Sequence, residues 1–335
     1  ACFFFFIHLG MDYCPRRSTL SDANKQRDSK VFEAIYYSMY KAIRYFLPDS
    51  LCNHEWYSKL YIADSTTITL FKEILKNAGC CPHDGKRKGG MKVHTLIKAD
   101  EDVPCVIKMN AAASHDVTFI KNMNLPKGSI ITFDKGYIDY KQYDLWTEQE
   151  VVWITRIRQG AQYEVIQENY ICQADRSAGV LCDQSIILGH TTHKNITRTN
   201  ARLIEYYDAK KDRTLTFITN NQSFNTLAIA QIYKQRWQIE LLFKRIKQNF
   251  PLQYFLGDNE NALKIQVWCV LIADLLLSYV RSLLKRKWSA SNLSSMIRIH
   301  LMTYINLFKF LESPDRALIN YLKLSNPTRA PTLFD

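Results

Sequence analysis

Residues 129–156 read SIITFDKGYIDYKQYDLWTEQEVVWITR. Ser129–Phe133 is short, apolar and β-branched, the composition of a buried strand. Asp139–Gln149 reads as a helix, and Val151–Arg156 (VVWITR) returns to strand composition. Working outward, Lys59–Leu70 (KLYIADSTTITL) is rich in β-branched and aromatic residues. Lys92–Lys98 (KVHTLIK) alternates with period two, and Pro104–Met109 is a further short strand. A helix is predicted over His115–Asn124. Strands in succession, then strand alternating with helix, predict an α/β fold built on a mixed sheet.

Further out the pattern changes twice. From about 161 to 219 it is all strand: YEVIQ, QSIIL, ARLIEYY and TLTFIT, joined by polar turns. This predicts a β-rich insertion inside the α/β domain. From Thr226 the chain turns helical, with helices predicted over Leu227–Asn249, Ala262–Lys287 and Asn292–Glu312. At the other end residues 17–48 read as helical, with Ser18, Thr19 or Ser21 as caps and Pro48 as the stop. The tail NPTRAPTLFD reads as loose.

The chain has 335 residues, 47% of them hydrophobic, so it can build a sizeable core. Its formal net charge of +12 favours an anionic partner, nucleic acid or an anionic membrane. Nine scattered cysteines without a C-x-x-C pair argue against a disulfide framework and for reduced thiols in a cytosolic compartment. Cys80, Cys81, His83 and His94 could be grouped as a zinc site, but adjacent cysteines rarely serve one tetrahedral ion. Ile265–Leu284 is apolar yet contains Gln266, Asp274 and Arg281, so a buried helix is preferred to a membrane span. The opening ACFFFFIHLG, with its first Met at 11, reads as though an upstream segment were missing.

Chemistry concentrates in YKQRWQIELLFKRIKQNF, Tyr233–Phe250. On a helix at about 100° per residue, Tyr233, Arg236, Glu240, Lys244 and Lys247 share one narrow face. Ile232, Ile239, Phe243, Ile246 and Phe250 form a neighbouring apolar face that can anchor the helix. The bland reading is a solvated face with a Glu240–Lys244 pair, worth a few tenths of a kcal/mol. Against it stands the excess of cations: Arg236, Lys244, Arg245 and Lys247 crowd one acid. A phosphate backbone would neutralise them, and a metal ion would let the carboxylate sit beside it.

Phosphodiester cleavage needs an activated water and stabilisation of charge on the phosphoryl group, which two Mg²⁺ ions roughly 3.5–4 Å apart can supply. Mg²⁺ takes carboxylates plus waters, so acids from distant segments should converge. Asp64, in YIADSTT, and Asp134, in ITFDKGY, lie at the ends of predicted strands, and Glu240 would complete the set. Taken singly each has a plainer reading: a turn or cap at Asp64, a turn at Asp134-Lys135-Gly136-Tyr137.

These segments resemble the DDE transposases of bacterial insertion sequences. The match is to the branch with the signature Y-x2-R-x3-E-x6-K, present here as Tyr233, Arg236, Glu240 and Lys247 in register. ADSTT and FDKGY match the two aspartate motifs, and KVHTLIK, ASHD (113–116) and FITNN (217–221) look like connecting segments; the resemblance covers roughly residues 10–325. It implies an RNase H-like core over 53–160 and 218–255, interrupted by the β insertion 161–217. A helical remnant of an N-terminal region, 1–52, and a helical C-terminal region, 256–335, would flank it. Asp64, Asp134 and Glu240 would be catalytic and bind two Mg²⁺ or Mn²⁺. Water would cut at the transposon end to free a 3′-OH, which would then attack the opposite strand or target DNA. Tyr233, Arg236 and Lys247, with Lys244 added by position, would contact the DNA. The resemblance further implies double-stranded DNA as partner, a homodimer on DNA, and a bacterial cytoplasmic, nucleoid-associated location without a membrane. An aromatic from the insertion region holds a flipped base in some members; Trp153, Tyr163, Tyr170, Tyr206 and Tyr207 are candidates, with packing the preferred reading of each.

Two other functions compete: a different RNase H-like nuclease without strand transfer, and a DNA-binding remnant that represses a longer relative. Retention of all three acids weighs against the second. Among remaining residues, His94 reads as a core histidine. His115 and Asp116 read as helix-capping residues, with a place at the active-site rim as the minority reading. Lys86, Arg87, Lys88 and Lys92 read as a solvated basic loop or a phosphate-contact loop, and Lys285-Arg286-Lys287 as a helix-terminal cluster.

Overall fold

A computed structural model describes residues 13, 15–47, 54–69, 90–112, 116–121, 123–189, 198–250, 252, 255–301 and 305–316. Cys80, Cys81, His83, Lys86, Arg87, Lys88, Ser114, His115, the opening residues 1–10 and the C-terminal tail lie outside these residues. The chain divides into two compact units, Pro48–Phe243, and Ala1–Leu47 together with Lys244–Asp335. The four segments expected from the sequence are thus gathered differently: the two flanking helical regions fall in one unit, and the boundary passes within the helix that carries Glu240.

Unit Pro48–Phe243 is organised by one nine-stranded sheet. Its strands are β1 (Leu60–Thr69), β2 (Gly90–Lys98), β3 (Pro104–Ala111), β4 (Ile130–Phe133), β5 (Val152–Arg156), β6 (Tyr163–Glu168), β7 (Val180–Leu188), β8 (Thr199–Asp208) and β9 (Arg213–Thr219). The order is β3-β2-β1-β4-β5-β9-β8-β7-β6. β1, β4 and β5 are parallel neighbours, while β2 and β3 on one side and β9 to β6 on the other are antiparallel. The mixed α/β expectation holds. The strands of 161–217 extend the same sheet, because β9 pairs directly with β5.

Parallel strands need a crossover, and α4 (Tyr140–Glu148) supplies it between β4 and β5. Asp139 caps it, its carboxylate accepting from the Gln142 N–H at 3.3 Å. Tyr143 and Trp146 are fully buried; Tyr143 stacks on Trp153 at 4.6 Å and meets Phe133 at 5.5 Å. The central strands therefore read as continuous apolar runs because they are covered.

Three local expectations are corrected. The helix predicted over His115–Asn124 is reduced, among the described residues, to α3, Val117–Ile120. A short helix, α5 (Gln173–Ser177), interrupts the predicted all-strand stretch; five residues are too few to show a helical period. The helix predicted over Leu227–Asn249 is two, α6 (Thr226–Lys234) and α7 (Trp237–Asn249). At the break the N–H groups of Gln235, Arg236 and Gln238 bond three residues back, to Ile232, Tyr233 and Gln235. That tighter turn shifts the phase of the stripe, so Tyr233 and Glu240 do not share one straight helix.

Gly179, between α5 and β7, adopts φ +105°, and a Cβ there would stand 2.6 Å from the Tyr207 carbonyl oxygen. Gly179→Ala should cost about 1–3 kcal/mol. Urea unfolding checks it; an unchanged midpoint would contradict the close approach.

In the other unit α1 (Arg17–Gln26) and α2 (Ser29–Ile43) replace the single predicted helix, and Arg16, not Ser18, Thr19 or Ser21, stands at the N-cap of α1. Asp28 caps α2 through the Lys30 N–H at 2.9 Å. The Asn261 amide fills the gap, accepting from the Ser29 N–H and donating to the carbonyls of Asn24 and Arg27. α8 (Glu260–Leu283) is long and apolar enough to cross a membrane by length and composition. It nonetheless sets Trp268 against Tyr36 and Tyr37, and buries Asp274 in a two-bond pair with Arg245 at 3.0 and 2.9 Å. The last predicted helix also divides, into α9 (Ala290–His300) and α10 (Leu307–Glu312).

Candidate active site

The parallel register aligns Ala63 of β1 with Phe133 of β4. Asp64 and Asp134 each follow that pair: Asp134 comes just after the end of β4, whereas Asp64 lies within β1, which runs on to Thr69 and so does not end at Asp64 as expected. The β1–β2 ladder fixes the Asp64 backbone, and the two positions are neighbours where β4 stops. Asp64 is doubly held: its Oδ1 accepts from the Ser65 N–H at 2.7 Å, and its Oδ2 from Arg236 Nη1 at 3.1 Å. Arg236, at the break between α6 and α7, donates its other terminal nitrogen to Glu240 Oε1 at 2.5 Å. One guanidinium thus spans two of the three acids. Arg156, the last residue of β5, donates to Asp134 at 3.2 Å.

Tyr233 stands between the two arginines, its ring centre 5.7 Å from the Arg156 guanidinium and 5.8 Å from that of Arg236. Its ring leans on Phe217 at 5.0 Å, and the residue is buried. Asp64, Asp134, Glu240, Tyr233 and Arg236 therefore gather in one place. Lys244 and Lys247 are exposed further along α7 and belong to the other unit.

Burial pushes the Asp64 carboxyl up to about 6; the Ser65 N–H and the Arg236 charge oppose the rise, while the charges of Asp134 and Glu240 add to it. Among the described residues no group of three or more His, Cys, Asp or Glu side chains forms a ready metal cage. The donor chemistry nevertheless fits a hard divalent ion: three carboxylates from separate segments, with the charges of Asp134 and Glu240 close enough to oppose ionisation of Asp64. Arg236 and Arg156 supply positive charge to the same oxygens, so they would have to yield some of these bonds.

Arg156 escaped the sequence reading. Its signal was a cation ending the strand next to the one bearing Asp134, a relation visible only once β4 and β5 are known to be parallel. Trp153 is a core residue, fully buried and donating to Thr147 at 3.1 Å. Tyr163, Tyr170 and Tyr207 are exposed, and Tyr206 is half-buried.

A mixed sheet thus brings two aspartates from adjacent parallel strands beside a glutamate from a later helix. Residues 57–276 match the model of the transposase DDE domain, and the chain belongs to that family, whose members cleave and join DNA. It is 29% identical over 263 residues to the putative transposase y4zB of Sinorhizobium fredii, covering 78% of this chain and 71% of that one. It is 25% identical over 233 residues to the probable transposase for insertion sequence element IS5377 of Geobacillus stearothermophilus, covering 69% of this chain and 59% of that one. A third relative is the putative transposase for insertion sequence element IS4SA of Synechocystis sp., 25% identical over 264 residues, with 78% of this chain and 70% of that one covered. Among solved structures the chain is similar to piggyBac transposase in its synaptic complex with hairpin DNA. That match has 13% identity and a TM-score of 0.43, over 82% of this chain and 59% of that one.

Proposed function

We propose that this chain is a transposase of the Y-x2-R-x3-E-x6-K branch with an RNase H-like core, in which Asp64, Asp134 and Glu240 are the catalytic carboxylates. It cleaves DNA at the ends of its element and transfers the freed strand. The observation that carries this reading is the convergence of the three acids on Arg236 and Arg156 from β1, β4 and α7. The carboxylates would hold two Mg²⁺ or Mn²⁺, which supply an activated nucleophile and Lewis-acid stabilisation when bound. Arg236 and Tyr233 would then contact phosphates beside the scissile bond, with Lys244 and Lys247 carrying the contact along α7. Double-stranded DNA is the partner and a homodimer on DNA the working form, in a bacterial cytoplasm at the nucleoid and without a membrane.

The test is incubation of purified protein with Mg²⁺ and duplex carrying the inverted repeats that flank its gene. Nicks should fall at the repeat boundary and joined products should follow. Cleavage without any joined product would favour a plain nuclease. The same assay has a pH signature. Asp64 must be ionised to accept a cation, and its carboxyl sits near pH 6. Cleavage should therefore fall as pH drops through about 6, approaching tenfold per unit below it. With Mg²⁺ held below saturation, where proton and cation compete for Asp64, a rate unchanged down to pH 5 would contradict a ligand role for Asp64.

A further inference from the structure

Beside the three acids lies a fourth carboxylate, Asp116, that the reading above leaves without a role. It stands at the start of α3, but its side chain caps nothing there. It turns instead to β1 and β2. Asp116 Oδ1 accepts from the Ser65 hydroxyl at 3.1 Å and pairs with Lys92 Nζ at 3.1 Å. Ser65 lies opposite His94, and Thr67 opposite Lys92, in the β1–β2 register, so Ser65, Lys92 and His94 present to one face of the sheet.

His94 is completely buried, and among the described residues neither ring nitrogen has a hydrogen-bond partner. Its Nδ1 lies 3.7 Å from Asp116 Oδ1, just outside bonding reach. Its ring stacks on Phe119 of α3 at 5.2 Å and meets the edge of Tyr137 at 6.4 Å. The two aromatic contacts fix His94, while the Ser65 hydroxyl and the Lys92 ion pair hold Asp116. The other carboxylate oxygen faces the turn after β4. A Cβ built on Gly136 would lie 3.8 Å from both Asp116 Oδ2 and Asp134 Oδ2.

Ser65 is the link that matters. Its hydroxyl is tied to Asp116 while its backbone N–H is tied to Asp64 Oδ1. We propose that Asp116 is a positioning residue of this active site: by holding Ser65 it aims the Ser65 N–H at Asp64 and so fixes the Asp64 carboxylate. Asp116 and Ser65 act as one unit, with Lys92 bracing Asp116. This rests on the reading of Asp64 as a metal-binding carboxylate only for its consequence. The link itself belongs to the protein without any ion.

Two readouts test it. Amide hydrogen exchange at Ser65, in the absence of metal, should accelerate about tenfold or more in Asp116→Ala. Mn²⁺ affinity, read by electron paramagnetic resonance, should fall about 10–100-fold, the usual effect of losing an outer support of a ligand. Ser65→Ala should reproduce the loss of affinity, and the double variant should lose no more than either single one. Asp116→Asn keeps an oxygen that accepts the Ser65 hydroxyl and should recover most of both. If Asp116→Ala fails to fold, Ser65→Ala and Asp116→Asn, which change single groups, carry the comparison. Wild-type protein that binds no Mn²⁺ at Asp64 would sink the metal reading and leave the exchange test standing. Unchanged Ser65 exchange in Asp116→Ala, or losses of affinity that multiply in the double variant, would overturn the proposal.

Discussion

Glu240→Gln should lower DNA cleavage by on the order of a thousandfold or more, about 4 kcal/mol of transition-state stabilisation, while the protein stays folded. The amide keeps the size of the side chain but cannot donate charge to a cation. It keeps an oxygen that can accept from Arg236 but leaves Asp64 as the one charged carboxylate paired with it, so the guanidinium should hold that aspartate more firmly and compete better with an incoming ion. Asp64→Asn and Asp134→Asn should fail to the same degree, because groups that act as a unit do not lose function additively. Removing one negative charge from a crowded set relieves repulsion, so the midpoint of thermal unfolding should not drop. Single-turnover cleavage together with thermal unfolding checks both halves. A folded variant with more than a tenth of wild-type activity would remove Glu240 from the chemistry.

Arg202→Met should destabilise the protein by about 3–5 kcal/mol, the cost of stranding a buried partner charge. Arg202 on β8 and Asp183 on β7 are both buried, and they meet through two bonds, Nε to Oδ1 at 2.9 Å and Nη2 to Oδ2 at 2.6 Å. Asn169 donates a third bond to the carboxylate at 2.9 Å. Arg202 Nη1 reaches the carbonyls of Gln222 and Phe224, at 3.3 and 2.7 Å, in the segment that leads into α6. The pair therefore ties the outer strands to the approach of the helix bearing Tyr233. Burial alone would raise the Asp183 carboxyl; the hydrogen bonds from Arg202 and Asn169, with the Arg202 charge, outweigh it and hold it below the usual range. Its stabilisation is present above the unfolded carboxylate value and is lost as pH falls through the lower folded one. Urea unfolding should show the wild-type advantage over Arg202→Met at pH 7 shrinking at acid pH. Replacing both partners with apolar residues of similar volume should recover much of the loss. A cost below about 1 kcal/mol for Arg202→Met would mean that the pair is not desolvated.

What the sequence disclosed follows from what periodicity can carry. β1, β2, β4 and β5 are visible because apolar and β-branched residues mark covered strands, and their predicted ends differ from the observed ones by two residues at most. Asp134 is visible as an acid at a strand end; Asp64 reads the same way in the sequence, but β1 runs past it to Thr69. Their adjacency is not visible, since it depends on β1 and β4 pairing in parallel across an intervening hairpin. The break at Gln235 and Arg236 is hidden for a different reason: residues 234–237 contain neither Gly nor Pro, and the apolar period runs on through it. The turn is fixed by tertiary bonds, with Arg236 drawn to Asp64 from a distant strand. Arg156, Asp116 and Arg202 stayed inconspicuous because a single charged residue in a strand or a turn acquires meaning only from its partner. Asp116 looked like a cap by its place before a helix, and the structure gives its side chain to Ser65 and Lys92.

Three carboxylates from separate segments that form one cation site should show themselves in electron paramagnetic resonance titration with Mn²⁺. Wild-type protein should bind Mn²⁺, and Asp64→Asn, Asp134→Asn and Glu240→Gln should each weaken that same binding by at least about tenfold. Binding that survives undiminished in any one of the three variants would contradict a shared site.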